Sequence, residues 1–156
     1  MTQLADSIGT SKAWNKPLPV RDELSQQYWD GALRHEVVIQ RCDRCGTYIH
    51  PPRVACRACQ GRALSPTVVP ATGSVYSFTI THTPFVPGYE DEVPFVIVLV
   101  DLDVQPGVRI ETILRECPHD EVVIGMPVRL VFEDVAEGFS LPFAIPGVAA
   151  TPTWAS

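Results

Sequence analysis

Four cysteines, at positions 42, 45, 56 and 59, follow the pattern C-x2-C-x10-C-x2-C, and no other feature restricts this chain's folding as strongly. A C-x2-C turn sets two thiolates on one side of a metal, with backbone amides facing the sulfurs. Two such turns close a tetrahedron. Cys42, Cys45, Cys56 and Cys59 are therefore expected to hold Zn2+, with iron the minority choice and four free or oxidised thiols the remaining alternative. With four sulfurs in place, no coordination position remains for water or substrate. The metal is then structural and stabilises a module too small to fold alone. Gly46 directly follows the first pair, whereas Gln60 stands at that place after the second, which predicts a looser second turn.

Charge is distributed unevenly around this motif. The net charge is -6, yet Arg34, Arg41, Arg44, Arg53, Arg57 and Arg62 face only Glu36 and Asp43 between positions 34 and 62, a local balance of +4 that leaves -10 for the rest. An acidic body repels a phosphate backbone, while a small basic module can still hold a few phosphates or an acidic surface. The 46 % of apolar residues is enough to build a core. The longest dense apolar run, 95–100, is far shorter than a membrane span, and the first residues lack the basic-then-apolar order of a signal peptide. The expectation is a cytoplasmic protein with no membrane association, in which reduced thiols bind metal instead of pairing as disulfides.

Along the chain, residues 1–19 show no sustained period and read as a flexible tail. Leu24, Tyr28 and Ala32, with Trp29 and Leu33, recur at helical spacing, which predicts an amphipathic helix within 20–36. Leu24, Tyr28 and Trp29 either pack on their own domain or dock onto another chain. Residues 37–64 carry the cysteine module between short extended segments. From 65 to 146 five strands are expected, at 73–83, 95–103, 108–115, 128–135 and 139–145, with turns at Pro106-Gly107 and Glu137-Gly138. The irregular insert 84–94 is expected to form a flap at the mouth of a barrel. The fold class is mainly β: a short N-terminal helix, a zinc ribbon and a five-stranded barrel of OB type. Residues 147–156 read as a second flexible tail.

Beyond the cysteines, catalytic signals are weak. Cys117 has no neighbouring His or acid that would activate it, so it reads as a structural cysteine. His82 falls at the end of the first barrel strand beside the flap and reads as an exposed or hydrogen-bonded residue before a catalyst. Asp101 and Asp103 share a strand face, most simply the outer one. Glu90, Asp91 and Glu92 read as a solvated run. Tyr76, Phe78, Ile80 and His82 alternate along one strand as a core face, or as a platform on which bases could stack. The chain has only two lysines, at 12 and 16, which makes nucleic acid the weaker option. No nucleophile elbow, P-loop or dinucleotide fingerprint is present.

The order of a helix, CDRCGTYIHPPRVACRAC, GSVYSFTITHTPFVPGYEDEVPFVIVLVDLD, PGVRIET and IGMPVRLVFEDV resembles the acyl-CoA-associated domain-of-unknown-function-35 family, which joins a rubredoxin-like zinc ribbon to an OB-fold. The likeness spans roughly residues 20–146. It implies that Cys42, Cys45, Cys56 and Cys59 are zinc ligands. It also implies a partner: a thiolase or a lipid-transfer-protein-like aldolase of the kind that cleaves β-hydroxyacyl-CoA in steroid side-chain breakdown, in a heterotetramer or similar assembly. Arg53, Tyr76, His82 and Phe85 are the candidates for contact with acyl-CoA or with that partner.

The resulting expectation is a non-catalytic accessory subunit that helps to bind or channel an acyl-CoA. A zinc-ribbon OB protein binding single-stranded nucleic acid is the alternative, and an independent hydrolase or thioesterase ranks last.

Overall fold

The computed structural model describes residues 13–148; the expected tail positions 1–12 and 149–156 lie outside the described residues. One helix and eight strands follow in order: α1 (Gln26–Leu33), β1 (Val37–Cys42), β2 (Tyr48–Ile49), β3 (Leu64–Val69), β4 (Thr72–Thr81), β5 (Phe95–Leu102), β6 (Arg109–Leu114), β7 (Pro127–Ala136) and β8 (Phe139–Pro146). They form a three-stranded sheet, β2-β1-β3, and a closed barrel, β4-β5-β6-β8-β7. This is the OB-type architecture expected, with the ribbon sheet ahead of the barrel.

The helix is shorter than its periodicity suggested because a capped turn precedes it. Asp22 accepts a hydrogen bond from the Ser25 N–H (2.7 Å), and Ser25 Oγ accepts one from the Asp22 N–H (3.0 Å), a reciprocal cap that leads into α1. Asn15 and Lys16, part of the expected tail, lie against the insert 84–94, beside Gly88, and Lys16 is ion-paired with Glu92. Strand β3, absent from the sequence reading, runs across the expected division at 64/65. It pairs with β1 from Cys42↔Leu64 to Val37↔Val69. Pro66 within it obscures the strand pattern, yet β3 is an edge strand, where a proline is tolerated.

In the barrel, Val96, Val98, Val100 and Leu102 of β5 alternate into the core. The same strand reads as one apolar run because its other face is partly covered as well: Phe95 and Ile97 line a cavity beneath the insert. Both expected turns are present, with φ of +82° at Gly107 and +74° at Gly138. A bulge in β4 shifts the register between Val75 and Ser77, leaving Tyr76 without a partner across the sheet. The extra residue switches which positions face inward: Gly73 and Val75 are buried before it, and Phe78 and Ile80 pack on the core after it. The anticipated single face of Tyr76, Phe78, Ile80 and His82 is thus divided.

Candidate functional site

The ribbon builds its thiol cluster from two turns of the same design. In the first, the Gly46 N–H donates to the Cys42 carbonyl (2.8 Å) and the Cys42 N–H to the Thr47 carbonyl (2.9 Å). In the second, the Gln60 N–H donates to the Cys56 carbonyl (3.0 Å) and the Cys56 N–H to the Gly61 carbonyl (2.8 Å). Gln60 takes the left-handed φ of +62° that Gly46 takes at +75°. The second turn is therefore not looser, as Gln60 had suggested; it closes in the same way with a residue that is strained there.

Folding the two turns together brings the four sulfurs within 4.8 Å of one another, with Cys42–Cys59 and Cys45–Cys56 each at 3.6 Å. A tetrahedral ion with bonds of about 2.3 Å to sulfur needs separations of about 3.8 Å, so the donor set fits a metal and is much too open for disulfides. The Ala58 N–H points at Cys56 Sγ (3.4 Å). Hydrogen bonding with Thr47, side chain first and then backbone, brings the Cys45 thiol down to about 6, while at Cys59 the Gly61 backbone bond is outweighed by burial and the other three thiols, which push it up to about 11; crowded together without a cation, the four sulfurs do not all ionise readily. Arg41 braces the first turn, donating from Nε to the Gly46 carbonyl (3.2 Å) with its guanidinium over the Tyr48 ring.

The other candidate residues do not converge with this cluster. Arg53 is exposed; its backbone is clamped by Gln40, whose amide donates to the Arg53 carbonyl (3.0 Å) and accepts from its N–H (2.9 Å). Tyr76 is 48 % exposed on its bulge, with the Arg109 guanidinium 3.6 Å over its ring. His82 is exposed beyond the end of β4, edge-on to His119 at 6.1 Å. Phe85, in the insert, is 93 % exposed. In α1, Tyr28 is buried in this chain's own core against Trp29 and His50, while Leu24, in the turn before the helix, stays exposed. Asp101 is occupied structurally: it pairs with Arg109 and accepts from the Gly107 N–H. Burial first, then Glu121 and Asp120, push the Cys117 thiol up, opposite to what a nucleophile needs.

Sequence reasoning missed two groups. His50 packs on Tyr28 where the helix meets the ribbon, and burial lowers its pKa to about 4. Lys16 lies between the rings of Trp14 and Tyr89, 4.6 Å and 4.8 Å from their centroids. Only the scarcity of lysine in the chain could have drawn attention to it.

Comparison with known proteins matches both modules. A model of the ChsH2 rubredoxin-like zinc ribbon domain covers residues 29–65, and a model of the ChsH2 C-terminal OB-fold domain covers 67–133. A chain of a solved Ltp2-ChsH2(DUF35) aldolase superposes with a TM-score of 0.75 at 33 % identity, over 84 % of this chain and 100 % of that one. This chain belongs to the DUF35 family. A DUF35 domain-containing scaffold protein of Methanocaldococcus jannaschii is 28 % identical over 120 residues, 76 % of this chain and 83 % of its own length. A probable enoyl-CoA hydratase alpha subunit of Thermomonospora curvata is 33 % identical over 133 residues, or 85 % of this DUF35 chain. The 3-oxo-4,17-pregnadiene-20-carboxyl-CoA hydratase alpha subunit of Mycobacterium tuberculosis is 41 % identical over 107 residues, or 69 % of it. The DUF35 chain spans only 40 % and 33 % of the lengths of these two subunits.

Proposed function

We propose that this chain is a non-catalytic accessory subunit of a thiolase-superfamily enzyme. The partner we favour is a lipid-transfer-protein-like aldolase that cleaves a β-hydroxyacyl-CoA of the steroid side-chain type. The supporting observation is the extent of the likeness: one chain of the Ltp2-ChsH2(DUF35) aldolase is matched over its whole length, whereas each hydratase alpha subunit is matched over less than half. An activity named for a hydratase subunit belongs to a protein of which this chain shares the smaller part. The described residues agree with an accessory role, since burial, then Glu121 and Asp120, push the Cys117 thiol up and Asp101 is engaged by Arg109 and Gly107.

In this reading the four cysteines hold zinc, which shapes the ribbon and does not meet substrate. The arginines around it, Arg53 among them, face the CoA phosphates or an acidic surface of the partner. The reacting thiol, base and oxyanion donors belong to the partner. The setting is cytoplasmic, and the assembly is a heterotetramer or a similar heteromer.

Co-expression with a lipid-transfer-protein-like aldolase tests this. The expected result is a co-purifying complex whose retro-aldol cleavage of a β-hydroxyacyl-CoA falls at least tenfold without this chain or with Cys42→Ser. No association and an unchanged rate reject the reading. Salt-sensitive binding of an oligonucleotide in the same preparation would favour the nucleic-acid alternative.

A further inference from the structure

Where the segment before the helix, α1, the insert 84–94 and the barrel meet, a cavity of about 180 Å³ is lined by Trp14, Tyr28, Trp29, Tyr89 and Phe143, with Glu111 as its one charged residue. Tyr28 and Trp29 meet edge to face there, their centroids 4.9 Å apart and their planes at 80°. The volume lies below the roughly 300–1,000 Å³ of sites for drug-sized molecules, so the cavity admits a compact head group and not a whole cofactor. Rings of this lining already take cations. Lys16 Nζ lies 4.6 Å and 4.8 Å from the Trp14 and Tyr89 centroids, and the Arg115 guanidinium lies 3.4 Å from that of Phe143. Each of those cations has its own carboxylate, Glu92 for Lys16 and Glu133 for Arg115. Glu111 differs. It is exposed, and among the described residues its carboxylate has no ion pair and no hydrogen bond.

We propose that this aromatic pocket is a site for a small organic cation, a trimethylammonium head held by the rings and by the unpaired carboxylate of Glu111. A primary ammonium is strongly hydrated and gives up much on leaving water, whereas methylation spreads the same charge over apolar surface that the rings can cover. A quaternary head therefore suits this lining best. Anions are rejected, because Glu111 repels them and the lining offers no cation to hold them. An uncharged guest of the same shape would fill the space but leave the ring quadrupoles and the carboxylate without a counterpart. Because Glu111 is exposed, the head enters from solvent and has room to trail a chain outside. The site depends on neither the ribbon's metal nor the accessory role.

Titration of the full chain with choline at matched ionic strength, followed by calorimetry and tryptophan fluorescence, tests the site. The uncharged carbon isostere 3,3-dimethylbutan-1-ol has the same shape without the charge and is expected to bind at least tenfold more weakly. Glu111→Gln, at an exposed position where folding is not at stake, is expected to weaken choline at least threefold and to leave the isostere unchanged. Trp14→Leu is expected to weaken choline at least tenfold. No saturable binding of choline, equal binding of the isostere, or unchanged affinity in both variants overturns the proposal. A second guest, Nα-acetyl-trimethyllysine methylamide, identifies the source of the head. Binding as tight as choline's supports the site with a protein side chain as its guest, and binding at least tenfold weaker supports it with a free small molecule.

Discussion

The ribbon and the barrel are both small β structures, but they cohere by different means. Around the thiols, Cys42, Ile49 and Cys56 are buried, with Cys59 and Leu64 partly covered. The barrel instead has a continuous apolar interior to which all five strands contribute, from Val75 through Val98 and Leu114 to Leu130 and Ala144. Ordering a chain costs about 1–2 kcal/mol per residue. Burying one isoleucine and a few sulfurs at about 25 cal/mol per Å² does not offset that. The part of the ribbon around the cysteine turns therefore depends on its metal, whereas the barrel closes on itself. The two are nonetheless joined: Val37, Ile39 and Val69 of the ribbon sheet belong to the barrel's core cluster. The Gln105 side chain also spans them, accepting from the Tyr48 N–H (2.9 Å) and donating to its carbonyl (3.1 Å).

Removing the metal should separate the regions most sharply. Structural zinc contributes about 10–16 kcal/mol in small modules at neutral pH, so chelation or Cys42→Ser is expected to erase amide protection around the cysteine turns while β5 stays protected. If both regions melt in one transition, the contrast fails. Core truncation follows: Leu102→Ala should cost about 2–5 kcal/mol in urea unfolding and leave metal affinity unchanged. Ile39→Ala should cost about as much and also loosen the metal, because Ile39 lies on β1, which runs into Cys42.

The junction should respond to pH. His50 has its pKa lowered from 6.5 to about 4 by burial. Between those values the unfolded chain takes up a proton that the fold refuses, so stability rises with pH there; it is complete above 6.5 and falls by up to roughly 3 kcal/mol as pH drops to 4. Comparing the unfolding of wild type and His50→Phe across that range isolates this effect from protonation of the thiols: the difference between the two should grow as pH falls. The smallest effect is expected at Gln60. Gln60→Gly relieves a left-handed residue and should raise the ribbon's stability by up to about 1 kcal/mol, seen as slower loss of metal to a chelator.

The metal cluster was legible in the sequence because its information is local: each C-x2-C turn needs only its own few residues, and residue type alone identifies the donor. The barrel strands were legible for a similar reason, since β-branched runs and Pro-Gly punctuation are short-range signals. What was not legible depended on register and long-range approach. The bulge at Tyr76 reverses which face of β4 points inward, and nothing within GSVYSFT marks it. Strand β3 is defined by its partner β1, and its own Pro66 reads against it. Tyr28, open to either a partner or its own domain by periodicity, is buried in this chain by contact with His50, 22 positions away.

By itself, then, the sequence determined a four-thiol metal ribbon ahead of a five-stranded barrel, because ligand spacing and strand composition act over a few residues. Only the tertiary structure decided that Lys16, 76 positions from Glu92, ties the N-terminal segment to the insert, and that an apolar slot lies beneath it. Such contacts form when closure of the barrel brings distant segments together, and their partners are set by geometry that no local pattern encodes.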